Sequence, residues 1–382
     1  MTTSTGEDAA DATHAHGVGI VGLGVISAQY LATFRGRTDV AVVAVADLDR
    51  ARAEAVARDI PGCRALSVAD LMSDPRVETV LNLTIPAAHA EIALQALAAG
   101  KNVYGEKPLA ASLSEARRVV DAVPSGAWLG GAPDTVLGTG IQTARAAVDA
   151  GLIGRPVSAM ATWTSGGHES WHPHPDFYYR EGGGPLMDMG PYYLTSLVQL
   201  LGPVVRVSGA SSRSRDVRRI GTGPRAGEQI PVEVDTHVTG TLVHEGGALS
   251  TVTFSFDGGQ TGAPPIEVHG EAGSLQAPDP NHFDGQVRVR RHGAQEWADV
   301  PTGAGYVGAG RGVGLVDFLR PDGGRASGAM ALHVLEIMTS LLDAADERRW
   351  VELVTTVERP TPVPLTDFAR LGLPTSTERT PL

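Results

Sequence analysis

The feature that most constrains this chain is the apolar run Gly19-Ile20-Val21 passing directly into Gly22-Leu23-Gly24-Val25-Ile26-Ser27. A strand that ends on Gly-x-Gly and turns at once into a helix opens a parallel strand–helix–strand unit. Gly22 permits the tight turn, and Gly24 lets the backbone approach a ligand closely. The helix beginning near Val25 and Ile26 offers its N-terminal N–H groups and positive dipole end to a phosphate. Serine stands at the third glycine position, so the surrounding pattern has to carry part of the argument.

That pattern agrees. Up to residue 132, short apolar runs alternate with amphipathic stretches. Strands are predicted over 17–21, 40–46, 79–84, 102–104 and 128–131, with helices over 26–35, 48–59, 67–72, 88–98 and 112–123. This is an α/β, doubly wound parallel sheet, assigned to a dinucleotide-binding domain over 17–132. A helix over 135–150 leads into a region of different texture. Strands over 157–163, 204–212, 232–244, 248–256, 266–269 and 287–291 read as antiparallel, with helices over 189–201 and 328–345 between and after them. Residues 133–358 are therefore expected to form an α+β substrate domain on an open, mainly antiparallel sheet whose faces need covering. The small, acidic stretch 1–16 and the Pro- and Thr-rich stretch 359–382 are expected to be poorly ordered tails.

Composition narrows the partners. A chain of 382 residues suggests two domains. A formal charge of -12 argues against nucleic acid. No apolar stretch approaches the roughly 18–20 residues needed to cross a bilayer, so no membrane association is expected. The N-terminus lacks the basic start and apolar centre of a secretion signal, which points to the cytoplasm. The single cysteine, Cys63, excludes an internal disulfide and a cysteine-based zinc cluster, and reads as a small buried apolar residue. Of the 31 basic residues only Lys101 and Lys107 are lysines. A chain that otherwise uses arginine has reason to keep lysine where a compact, titratable ammonium is needed.

Candidate site residues follow from the topology. The second predicted strand ends at Asp47, about two dozen residues past the glycines, where a carboxylate accepts ribose hydroxyls and repels a 2′-phosphate. This favours NAD over NADP, although Arg50 follows closely and either Asp47 or Asp49 can cap the next helix. In a doubly wound sheet the reactive end of the cofactor lies beyond the strand ends across the switch point. Thr84 and Pro86 with His89, and Glu106 with Lys107, fall there. Lys107 is suited to polarising a carbonyl or lowering the pKa of a hydroxyl. Asp188 and Tyr192, four apart on a predicted helix that begins near Asp188, share a face. Tyr192 needs a nearby cation to act as a base. The segment 168–180 precedes Asp188 and is a candidate substrate wall. Trp171 is placed to stack on a flat face of the substrate, and His172, Asp176 or Arg180 to bind its hydroxyls. Its histidines do not lead us to expect a metal, since the prolines restrict a shared geometry and hydride transfer needs none.

Taken together, Gly22-Leu23-Gly24, Thr84-Ile85-Pro86 with His89, Ala99-Gly100-Lys101, Glu106-Lys107-Pro108 and Asp188-Met189-Gly190 resemble the Gfo/Idh/MocA oxidoreductases, from Gly17 to about Leu353. The resemblance implies a Rossmann domain followed by an open antiparallel sheet used for substrate and for homo-oligomer contacts, a dimer or tetramer. It implies hydride transfer between NAD and a hydroxyl of a sugar, inositol or related polyol. The family lysine and aspartate map onto Lys107 and Asp188. Many members carry a histidine where this chain has Tyr192, and a tyrosine also occurs there in the glucose–fructose oxidoreductase branch. The expected reaction has a substrate hydroxyl losing its proton to Tyr192 or Lys107 while Asp188 orients the lysine. An NAD-dependent glycosidase that recycles its NAD and a non-catalytic NAD-binding regulator stay open as alternatives.

Overall fold

The computed structural model describes residues 15–371 apart from Gln260. Six strands form the first sheet: β1 (His16–Val21), β2 (Val40–Ala46), β3 (Arg64–Ala65), β4 (Thr79–Asn82), β5 (Asn102–Gly105) and β6 (Leu129–Gly131). Their order is 3-2-1-4-5-6 and every pairing is parallel. Helices α1 (Ser27–Phe34), α2 (Arg50–Arg58), α3 (Val68–Ser73), α4 (Pro86–Ala98) and α5 (Leu113–Asp121) make the crossovers. β4 is buried along its whole length, and the valine and alanine run of β2 is mostly so, as strands covered on both faces require. Asp49 caps α2 by accepting from Arg52 N, and Ser112 and Glu115 form a reciprocal capping box on α5. The strand order reverses between β1 and β4, which opens a crevice beyond their carboxyl ends.

The chain continues through α6 (Thr139–Asp149), β7 (Pro156–Thr164), α7 (Pro185–Leu201), β8 (Val204–Ser212), β9 (Val217–Arg219), β10 (Gln229–Pro231), β11 (His237–His244), β12 (Leu249–Ser255), β13 (Ile266–Gly270), β14 (Gly273–Ala277), β15 (Val287–Arg291) and β16 (Ala298–Val300). It ends with β17 (Tyr306–Val307), α8 (Val313–Phe318), α9 (Gly328–Glu347), β18 (Val351–Glu352) and β19 (Thr366–Asp367). Nine strands make the second sheet, in the order 16-15-14-13-7-12-11-8-18. α9 packs on β8, α7 on β12, and α6 on β14. Ala159, Ala161, Val252 and Phe254 point into that covered face, while Met160 and Leu249 are about half exposed on strands whose alternate residues point away.

Several expectations are corrected. The second sheet is mainly antiparallel as expected, but one pairing within it, β7 with β12, is parallel where both strands read as antiparallel. The helix expected over 135–150 is a 3-10 turn, Thr135–Leu137, followed by α6, because Gly138 is pressed against the Phe283 carbonyl. The strand expected from 232 starts at His237; Val232 instead joins a satellite cluster with Tyr179, Ile220, Ile230 and Phe256. α7 begins at Pro185, so Asp188 lies in its first turn and Pro191 falls inside the helix. The chain also returns to the first sheet after 300: α8 and α9 pack on β6, and Ser327 bridges Gly130.

The tails differ as well. His16 opens β1, with its Nε2 2.7 Å from Thr79 Oγ1, and residues 1–14 lie outside the described residues. Residues 359–371, expected to be loose, are anchored by buried Val363 and Phe368, and Arg37 stacks on the Phe368 ring at 4.5 Å. The remainder of that stretch, 372–382, lies outside the described residues. α9 is long and apolar enough to cross a membrane, contrary to the sequence reading, but 67% of that window is buried against the protein. Cys63 is only partly buried, and desolvation still pushes its thiol up to about 11.

Candidate active site

The crevice at the switch point is built by backbone. Gly22 has φ +93°, and a Cβ there would stand 2.7 Å from the Leu83 carbonyl group, so the turn admits glycine alone. Gly24 is different: a Cβ there would meet no atom within 4 Å. Packing does not explain that glycine, whereas close approach of a pyrophosphate does. The N–H groups of Gly24, Val25 and Ile26 have no hydrogen-bond partner among the described residues, which leaves the start of α1 open to an anion. Asp47 sits beside this loop, where its Oδ2 accepts from Leu23 N at 2.7 Å and its Oδ1 from Asp49 N at 2.8 Å. Three large apolar side chains at the strand ends, Val25, Leu48 and Ile85, are 95%, 104% and 69% exposed. Apolar residues left bare on one rim fit a flat adenine and ribose laid across them.

Across the crevice, Lys107 follows β5 and reaches into the second sheet's helix layer. Its Nζ donates to the Asp188 carbonyl at 2.7 Å and to Asp188 Oδ1 at 2.9 Å. The other oxygen, Oδ2, lies 2.8 Å from His168 Nε2. Burial pulls the Lys107 ammonium toward losing its proton, but Asp188, together with Tyr192 and Glu106, outweighs it and the net shift is upward. For Asp188 burial acts to raise the carboxyl, yet Lys107 and His168 prevail and hold it well below the usual range. Tyr192 is 5% exposed and lies between two cations: Lys107 Nζ is 5.2 Å, and the Arg311 guanidinium carbon 5.5 Å, from its ring centre. Burial nevertheless dominates and raises the phenol. Its hydroxyl makes no hydrogen bond to any described residue.

Beneath this set, Glu106 Oε1 accepts from Tyr30 Oη at 2.8 Å and its Oε2 from Lys107 N at 3.1 Å. Arg311 is held by Gln29 Oε1 and Asn281 Oδ1 at 3.1 and 3.0 Å. The following turn is pinned by Asp134, whose Oδ2 accepts from Gly312 N and Gly314 N at 2.7 and 3.0 Å.

Both domains of this chain have counterparts among known proteins. The profile described as "Oxidoreductase family, NAD-binding Rossmann fold" matches residues 16–126, and that described as "GFO/IDH/MocA C-terminal domain" matches 141–276. This chain belongs to the GFO/IDH/MocA oxidoreductase family. As the first profile's description states, the family binds NAD on its Rossmann domain. The chain is 29% identical to trans-1,2-dihydrobenzene-1,2-diol dehydrogenase of Bos taurus over 69% of this chain and 74% of that protein. It is 28% identical to 1,5-anhydro-D-fructose reductase of Ensifer adhaerens over 67% and 74%. An NAD-binding oxidoreductase from Klebsiella pneumoniae shares the fold, with a TM-score of 0.76 at 22% identity over 90% of this chain and 100% of that one.

Within this GFO/IDH/MocA chain the expected residues fall into two groups. Gly22, Gly24, Val25, Ile26, Asp47, Thr84, Pro86, Glu106 and Lys107 line the strand ends, and Asp188 and Tyr192 meet Lys107. His89 departs from expectation. It is 2% exposed, with Nδ1 2.6 Å from the Pro108 carbonyl and Nε2 3.0 Å from that of Thr84, so it ties two loops together from within. Arg50 turns to Glu54 at 2.9 Å, and Arg52 is the arginine that approaches Asp47, at 3.5 Å. Asp176 is bound to Arg225 at 2.6 and 3.1 Å, so the arginine fixes its orientation. Arg180 is exposed and 3.9 Å from Asp176, and His172 Nδ1 accepts from His174 N at 3.0 Å. Trp171 is 58% exposed. Lys101, the other lysine, donates to the Asp74 carbonyl far from the crevice.

Sequence reading missed Arg311, and took His168 and Tyr178 only as part of the 168–180 wall without singling them out. Tyr178 lies edge-on to His168 at 4.4 Å, and burial followed by the Asp188 charge pushes its phenol up to about 12. The signal for Arg311 was Arg311-Gly312-Val313-Gly314. Gly312 has φ +102°, and a Cβ at Gly314 would lie 2.0 Å from Tyr104 Oη, marking a turn built for close packing.

Proposed function

We propose that this protein is an NAD-dependent dehydrogenase or reductase that interconverts a hydroxyl and a carbonyl on a sugar, inositol or related polyol. The observation that carries this reading is the Lys107 ammonium, clamped by Asp188 and facing the Tyr192 ring beside the dinucleotide crevice. Bound NAD supplies hydride transfer. In the cofactor-free site Lys107 is protonated and donates a hydrogen bond to the substrate oxygen, where charge develops as the carbon changes oxidation state. Tyr192 is likewise protonated at neutral pH, so the cofactor-free site is arranged to give a proton to a nascent alkoxide. Running the reaction toward oxidation requires one of these two groups to yield its proton first. Asp188, with both oxygens engaged by protein, orients Lys107.

The exposed Trp171 ring supports a substrate with an apolar sugar-like face. The Asp47 carboxylate supports preference for NAD over NADP. A homo-oligomer formed through the open face of the second sheet, and a cytoplasmic location in keeping with one unpaired cysteine, belong to the same reading. The test is NADH formation on a panel of sugars, inositols and glycosides, with NAD and NADP in parallel. Stoichiometric NADH on one substrate class supports the dehydrogenase. Glycoside cleavage without net NADH points to the recycled-NAD alternative, and silence with NAD bound points to the regulator.

A further inference from the structure

One chain of contacts runs from the exposed substrate wall to the buried ammonium. Trp171 Nε1 lies 3.2 Å from His168 Nδ1, and His168 Nε2 lies 2.8 Å from Asp188 Oδ2. An indole N–H only donates, so Nδ1 must accept and the ring proton sits on Nε2, pointing at the carboxylate. Asp188 then turns its remaining oxygen to Lys107 at 2.9 Å. His168 is 7% exposed and enclosed by Tyr178, Phe256 and Trp163, with ring centres at 4.4, 4.8 and 5.8 Å. Trp171 differs from these neighbours because most of its ring faces solvent while its N–H points inward.

We propose that His168 is a positioning residue whose tautomer is set by Trp171, and that the pair aims the Lys107 ammonium by holding Asp188. This deepens the proposed reading of the site and rests on it for the kinetic outcome only. Without the Nε2–H donor the Asp188 carboxylate has one partner instead of two and is free to rotate, taking the ammonium with it. Misplacement of a reacting group on the order of 1 Å can cost about 100-fold in rate.

The aromatic surroundings offer a competing explanation, that His168 merely fills space, and the two make opposite predictions. A glutamine keeps one donor and one acceptor but loses the ring, whereas a phenylalanine keeps the ring and loses both. His168→Gln, His168→Phe and Trp171→Phe should be made in the full-length, NAD-loaded protein, with thermal unfolding to verify folding of each. Because the chain has only two lysines, ¹⁵N-lysine NMR reads Lys107 Nζ directly, with Lys101 as internal reference. The expected result is a displaced Lys107 signal in His168→Phe and Trp171→Phe, a near-native one in His168→Gln, and an unmoved Lys101 in all three. On whichever polyol the wild type turns over, His168→Phe lowers kcat roughly 10–100-fold with KM little changed, and His168→Gln restores most of it. A Lys107 signal unmoved by phenylalanine, or moved as far by glutamine, overturns the proposal. The NMR readout needs no substrate, so lack of turnover on every polyol tells against the proposed function and leaves this inference standing or falling by itself.

Discussion

Gly22 and Gly24 belong to one motif, yet the structure gives them separable jobs, and replacing each by alanine tests that separation. At Gly22 an alanine meets φ +93°, a region costing an L-residue about 1–2 kcal/mol. Its Cβ also stands 2.7 Å from a backbone carbonyl that cannot rotate away, adding an overpacking cost of about 1–3 kcal/mol. Gly22→Ala should therefore destabilise the cofactor-free protein by about 2–5 kcal/mol. At Gly24 φ is not positive and nothing lies within 4 Å, so Gly24→Ala should leave that stability unchanged or slightly raised. The added methyl instead occupies the space through which a pyrophosphate approaches the free N–H groups of α1. Losing one charge-assisted bond there, about 1.5–3 kcal/mol, weakens NAD binding roughly 10–150-fold. Denaturant unfolding without cofactor and calorimetric titration with NAD measure the two effects. Equal loss of stability in both variants, or unchanged NAD affinity in Gly24→Ala, refutes the division.

Other consequences follow from buried titratable groups and from the loop pairs. His244 is 1% exposed, with its ring nitrogens each 2.8 Å from the Gly202 carbonyl and Ser250 Oγ, and desolvation lowers it to about 4. The unfolded chain, with a histidine near 6.5, binds more protons between those values, so folding stability falls by about 3 kcal/mol as pH drops through that window. His244→Gln should flatten the acid slope measured by urea unfolding between pH 7 and 4; an unchanged slope contradicts this. Asp134 is raised to about 6 by burial, against the opposing Gly314 N–H and Arg311. Its ionised form holds the Arg311 turn, so kcat should decline as pH falls through about 6, and Asp134→Asn should lack that decline while working more slowly throughout. The sign for stability is the reverse, because a carboxyl raised above its unfolded value favours folding at low pH and loses that contribution as pH rises through 6. Asp176→Ala should release the 168–180 segment from Arg225, raising KM more than it lowers kcat in steady-state kinetics.

What could be read from the sequence was local or periodic. The glycine turn after β1, Asp47 at the end of β2 and Lys107 after β5 follow from chain order, since in a parallel sheet every strand delivers its carboxyl end to one rim. Asp188 and Tyr192 were placed on one helix face by spacing alone. The helix itself was started too late, near Asp188, whereas Pro185 holds its first-turn position. His168 meeting Asp188, and Arg311 meeting Tyr192, are pairings across 20 and more than 100 residues, and no periodicity reports them. The same holds for the parallel register of β7 with β12, whose partners come together only in the folded sheet. His89 was misjudged for a related reason: its neighbours place it at the crevice, but its ring turns inward to carbonyls that the sequence does not reveal.

The most direct test of the central claim is absorbance-monitored NADH formation by wild type and Lys107→Ala over the sugar, inositol and glycoside panel, with NAD binding measured separately. The account predicts turnover by wild type on one such substrate class, and in Lys107→Ala a kcat lower by roughly 100- to 10,000-fold with NAD still bound. A Lys107→Ala protein that binds NAD and turns over at the wild-type rate contradicts it.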